Sequence, residues 1–161
     1  MVREKGFSLI ELLIVVAIIL IIAAIAIPNL MRSRIAANEA SAVSGIRAIT
    51  TAEHAYSTAY PDIGYTCSLS SLGPPPVGQS VGSTGSDILD PVISAGIKSG
   101  YSFGLSSCTG SPIVTSYQSS AAPITVGGSG QRAFCSDSSG IIQYSADGSV
   151  ATCISGKLVL Q

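Results

Sequence analysis

The chain has 161 residues, enough for one modest domain. Hydrophobic residues make up 47% and charged residues 11%, the latter about half the usual ~25%. A net charge of −1 argues against a broad field for nucleic acid, and a single His with no Trp leaves little for metal sites or His-based catalysis.

From Phe7 to Ile27 only Ser8 and Glu11 are polar among 21 residues. A helix of that length covers about 30 Å, one hydrocarbon thickness. Arg3 and Lys5 precede the run, so the positive-inside rule puts Met1 in the cytoplasm and the remainder across the membrane. Arg32 and Arg34 on the far side weaken that asymmetry slightly. Three readings compete. In a cleaved secretory signal, Ala24-Ile25-Ala26 would be the small-residue cleavage site, but the run is long for an h-region and Glu11 interrupts it. In a plain single-pass anchor, Glu11 is incidental. In the third, Glu11 is functional, because a carboxylate in a membrane helix is costly and usually has a partner. Cleavage after Gly6 would create the α-amine of Phe7, which the Glu11 of a neighbouring, axially shifted copy could meet.

Pro28 ends the purely apolar run and predicts a kink or break. The segment from Asn29 to Tyr60 still reads as helix, with Ile35, Ala42, Ile46, Ile49, Tyr56 and Tyr60 on one face and Pro61 as the stop. Gly45 reads as ordinary helix composition, Tyr56 and Tyr60 as core packing, and His54 as a packing or solvated residue. Residues 61–161 read as a β head. Residues 73–90 are rich in Gly, Pro and Ser and form a surface loop, and Asp90 to Ala95 allows a short helical turn. Four antiparallel strands are predicted at 100–107, 113–119, 132–136 and 140–144, the last two joined by an Asp137-Ser-Ser-Gly140 turn, with no other helix in the head. The apolar stripe on residues 35–60 is the available cover for such a sheet. The fold class is therefore α+β: a long N-terminal helix on an antiparallel sheet of about four strands.

The cysteines are Cys67, Cys108, Cys135 and Cys153, widely spaced and without a C-x-x-C. An even count beyond a membrane segment points to disulfides in an oxidising compartment. Cys67–Cys108 with Cys135–Cys153 is favoured, and Cys108–Cys135 with Cys67–Cys153 is the rival. No catalytic constellation is present, no cofactor is expected, and Asp87, Asp137 and Asp147 do not make a calcium-loop pattern.

Gly6-Phe7-Ser8-Leu9-Ile10-Glu11-Leu12-Leu13-Ile14-Val15-Val16 resembles the class III signal of type IV pilins and type II secretion pseudopilins. The resemblance covers residues 1–60, Pro28 included. It implies a six-residue leader (1–6) cut between Gly6 and Phe7 by a prepilin peptidase and N-methylation of Phe7. It also implies a membrane and fibre-core helix (7–28), its amphipathic continuation (29–60), and Glu11 paired with the amine of an adjacent subunit. The expected protein is a non-enzymatic pilus subunit. It would be held in the bacterial inner membrane as precursor, partnered by itself and by the inner-membrane assembly machinery, and then become extracellular. A periplasmic pseudopilus subunit and a non-polymerising, membrane-anchored binding module are the alternatives.

Overall fold

The computed structural model describes residues 7–156 and 158–160. The chain divides into two compact units, Met1–Arg34 and Ile35–Gln161. One helix, α1 (Leu9–Ala59), contributes to both and includes Pro28. Pro28 thus does not end the helix. Its ring removes a single donor, leaving one carbonyl a turn earlier without its usual partner.

In the first unit, the described side chains are exposed on every face, Ala23 alone being half-buried. The helix contains an 18-residue window of mean hydropathy 3.3, none of it buried, long and apolar enough to cross a membrane.

The second unit holds the rest of α1 and the head. Further elements are α2 (Leu69–Leu72), α3 (Pro91–Ser94), β1 (Ile97–Lys98), β2 (Tyr101–Thr109), β3 (Ser116–Pro123), β4 (Ala133–Asp137), β5 (Gln143–Ser145), α4 (Val150–Gly156) and β6 (Leu158–Val159). The strands form one antiparallel meander in the order β1-β2-β3-β4-β5-β6. Six strands therefore replace the expected four. The two additions are edge strands of two residues each, too short to show an alternation. β3 also starts later than the sequence suggests. Val114 is drawn away to the post-helix segment, donating to Ile63 O and accepting from Tyr65 N, at 2.9 and 3.0 Å. The strand proper alternates Tyr117, Ser119, Ala121 and Pro123 inward, and small Ser and Ala side chains give a weak hydrophobic signal. α2 and α4 are helices where none was expected. They are four and seven residues long, too short to present an apolar period.

Other expectations hold. α1 stops at Ala59, where Tyr60 N still donates to Tyr56 O at 2.8 Å and Pro61 follows. The short helix α3 begins at Pro91, with the Asp90 carboxylate accepting from Val92 N and Ile93 N. Between β4 and β5, Gly140 N donates to Asp137 O and Ser139 N to Asp137 Oδ1, and Gly140 adopts φ 76°.

The core lies between the α1 stripe and the sheet. Ala42, Ile46, Ile49, Ala52 and Tyr56 pack with Tyr101, Phe103, Ala121 and Phe134, and Leu69, Leu72, Leu89 and Ile93 extend the cluster. Ile46, Ile49 and Phe134 are fully buried, each worth about 1.5–3 kcal/mol relative to exposure. Gly45 has a packing role after all, against the sheet. A Cβ there would fall 2.5 Å from Phe103 Cε1, so the bare backbone lets the ring sit directly on the helix. The 73–90 segment is tied back at its end by Ile88 N and Leu89 N, both donating to Leu72 O. Tyr56 holds its middle through a 2.8 Å bond to Ser83 O.

Candidate functional site

At the start of α1, Ser8 is the residue before the first helical turn and Glu11 is the third residue within it. Glu11 Oε2 accepts from Ser8 N at 2.9 Å. This is one half of a capping box: the acid reaches back to an amide that the helix leaves without a partner. The Ser8-x-x-Glu11 spacing is a legible signal for it. Phe7 is exposed beside this cap. Gly6, Arg3 and Lys5 lie outside the described residues, and so does the proposed leader. The Glu11 carboxylate is therefore held by its own helix.

Two further acids, Glu39 and Glu53, sit inside the apolar stripe of α1 and are buried. Glu39 is buried against the start of β4. Its Oε1 accepts from Gln131 N and Arg132 N at 3.0 and 3.1 Å, and its Oε2 accepts from Arg132 Nε at 2.9 Å. Arg132 Nη2 completes an ion pair at 2.7 Å. Burial pushes the Glu39 carboxyl up, but the Arg132 side chain and the two amides outweigh it, so the net displacement is downward. Arg132 also lies over the rings of Phe134 and Tyr144, at 5.4 and 5.5 Å from their centroids.

Glu53 is fully buried. Its Oε2 accepts from Thr66 N at 2.9 Å, while Oε1 has no hydrogen-bond partner among the described residues. Desolvation pushes its carboxyl up to about 7, against the pull of the Thr66 amide.

The cysteines pair as Cys67–Cys108 and Cys135–Cys153, each with Cα atoms 6.1 Å apart. The first joins the post-helix segment to β2, and the second ties β4 to α4. The tyrosines pack in pairs, Tyr56 with Tyr60 at 4.8 Å and Tyr65 with Tyr117 at 4.9 Å. His54 stands edge-on to Tyr65 at 5.7 Å. Asp147 accepts from Ser149 N and Thr152 Oγ1 ahead of and within α4, and Asp137 shapes the β4–β5 turn. No group of three or more His, Cys, Asp or Glu able to hold a metal occurs among the described residues.

Comparison with known proteins points to the same N-terminal segment. The family described as the prokaryotic N-terminal methylation motif matches residues 1–27. The type IV major pilin protein PilA of Myxococcus xanthus is 46% identical over 54 residues, 34% of this chain and 24% of that relative. The type IV wide pilus major component PilA4 of Thermus thermophilus is 62% identical over 37 residues, 23% of this chain and 28% of that relative. The chain thus spans about a quarter of the length of these curated relatives, and no solved structure matches it. By the methylation motif and these two likenesses, the N-terminal segment of the chain is similar to that of type IV pilins.

Proposed function

We propose that this protein is the structural subunit of a type IV pilus, polymerising through the N-terminal part of α1. The observation that carries the reading is the apolar surface of residues 7–27, exposed on every side and carrying a single acid at Glu11. A helix that is apolar all round needs an apolar surrounding, first lipid and then other helices. The relatives' names, both of pilus components, favour a pilus over a short pseudopilus.

In this reading a prepilin peptidase cuts between Gly6 and Phe7 and the new amine of Phe7 is methylated. The subunit waits in the inner membrane until the assembly machinery draws it into the fibre. Glu11 then leaves its own Ser8 amide for the Phe7 amine of a neighbour, which sets the axial register. Pro28 removes one rung of the helical ladder at the end of the apolar run and gives the packed helix a place to adjust. The disulfide-bonded head forms the outer surface. The test is mass spectrometry of sheared surface fibres. The expected subunit begins with methylated Phe7. An intact Met1, a start near Ile27, or no fibre containing this chain would overturn the reading.

A further inference from the structure

The pilus reading makes no use of Glu53, yet its surroundings are unusual for an acid. It lies on the core face of α1, fully buried, under the segment that leaves the helix. One oxygen holds Thr66 N and the other is unpaired. The hydroxyl of buried Tyr117, on β3, lies near Thr50, whose own proton goes to Ile46 O at 3.0 Å and whose oxygen can still accept from Tyr117. Thr66, bonded to Glu53, follows Tyr65, whose ring packs on Tyr117 at 4.9 Å, and Tyr56 lies one turn along α1 from Glu53.

The groups facing this cluster supply no compensating charge. On α1 they are Tyr56, which donates to Ser83 O, with Tyr60 beyond it. His54 is exposed, its ring turned to the Tyr65 hydroxyl at 3.4 Å. The post-helix segment supplies Tyr65 and Thr66, β3 supplies Tyr117, and the end of β4 supplies Asp137, whose field also reaches Tyr117. No cation stands against Glu53 among the described residues. A buried carboxylate without a cation or a second donor is strongly disfavoured, whereas a neutral carboxyl keeps an acceptor for Thr66 N and gains a hydrogen for an unpaired oxygen.

We propose that Glu53 is a proton-operated latch: carrying a proton it holds the post-helix segment around Thr66 against α1, and on losing that proton it lets that segment go, while Ile63 N and Gly64 N stay on Tyr60 O. The placement gives the latch a defined reach. Thr66 is next to Cys67, and the Cys67–Cys108 bond tethers the released segment to β2. Tyr65 N and Ile63 O stay bonded to Val114. Opening therefore separates the segment from the helix and bares the Tyr117 side of the cluster, while the sheet stays intact.

The sign follows from burial. A carboxyl raised in the folded state binds its proton more tightly there than in the released state. The closed form is therefore favoured fully below about 4.5, the ordinary value, and loses that advantage as pH rises through about 7.

The test is amide hydrogen exchange on the full chain in detergent micelles, read as protection factors at the Thr66 amide. Between about pH 5.5 and 8.5 wild-type protection should fall by more than about tenfold, the measure of a carboxyl that ionises only on opening. Glu53→Gln keeps an acceptor for Thr66 N and cannot ionise, so its protection should not change with pH. Protection independent of pH in the wild type, or the same fall in Glu53→Gln, would overturn the latch. If Glu53→Gln does not fold, 13C titration of the wild-type Glu53 carboxyl decides. A group still protonated near pH 6 supports the latch, and one already ionised there removes it.

Discussion

Glu39 and Arg132 are joined through both main chain and side chain. One carboxylate oxygen takes the Arg132 amide and the other takes its guanidinium, with the Gln131 amide as a further donor. The acid is buried while the arginine side chain is 40% exposed, so solvent screens the charge–charge part and the amide bonds carry more of the value. Glu39→Ala leaves two amides facing a cavity and should destabilise the head by about 2–4 kcal/mol. Glu39→Gln, which retains acceptor capacity, should cost less. Because the Glu39 carboxyl is held below its ordinary 4.5, its contribution is full above that value and lost as pH falls beneath it. Thermal unfolding at pH 7 and pH 3 should show a larger acid-induced loss in wild type than in Glu39→Gln. Equal losses would remove Glu39 from the acid response.

Gly45 sets two effects of opposite sign against each other. Alanine is the better helix former by about 1 kcal/mol. Its methyl group, however, would meet the Phe103 ring at 2.5 Å, in a core where Phe103 is largely buried. Overpacking of this kind costs about 1–3 kcal/mol. Gly45→Ala should therefore be neutral to destabilising. A raised melting temperature would mean that the ring moves aside freely, contrary to close packing of α1 on β2.

The two disulfides close loops of different length, with separations of 41 for Cys67–Cys108 and 18 for Cys135–Cys153. Chain entropy assigns them about 4 and 3 kcal/mol respectively. Non-reducing peptide mapping should recover these two linkages and no alkylated free thiol. Replacing either pair with alanine should lower the unfolding midpoint, the longer loop by more. A Cys108–Cys135 peptide would contradict the pairing.

Much of this architecture is legible in the residues. The run to Ile27 is too long and too apolar for anything but burial in lipid or protein, and the Ile46–Ile49–Tyr56 stripe points to the face that meets the sheet. What local pattern hides is partnership at a distance. Glu39 looks like an interruption of the stripe because the amides that satisfy it are 92 and 93 positions away. Glu53 finds Thr66 only after the chain has left the helix and turned. β1 and β6 exist because longer neighbours offer them an edge, and two residues cannot show a period. At the N-terminus, the acid within the apolar run is plain in sequence. That Glu11 caps its own helix becomes evident with the hydrogen bond to Ser8.

That bond makes substitution at Glu11 informative, because capping and charge can be separated. Glu11→Ala removes both. Membrane insertion should persist and even become easier, since a costly carboxylate is gone. Glu11→Gln keeps an oxygen able to accept from Ser8 N, and Gln is itself a capping-box residue at this position. It lacks the negative charge that would attract the Phe7 amine of a neighbour. If charge sets the register, both variants should reach the membrane and be cut after Gly6, and both should yield few or no fibres. Electron microscopy of sheared preparations, with mass spectrometry of the membrane-held subunit, reads these outcomes together. Normal fibres from Glu11→Gln but not from Glu11→Ala would reassign the residue to helix capping. Normal fibres from both would remove it from assembly. Uncut precursor in both would make Glu11 part of what the peptidase recognises, with the loss of fibres following from that.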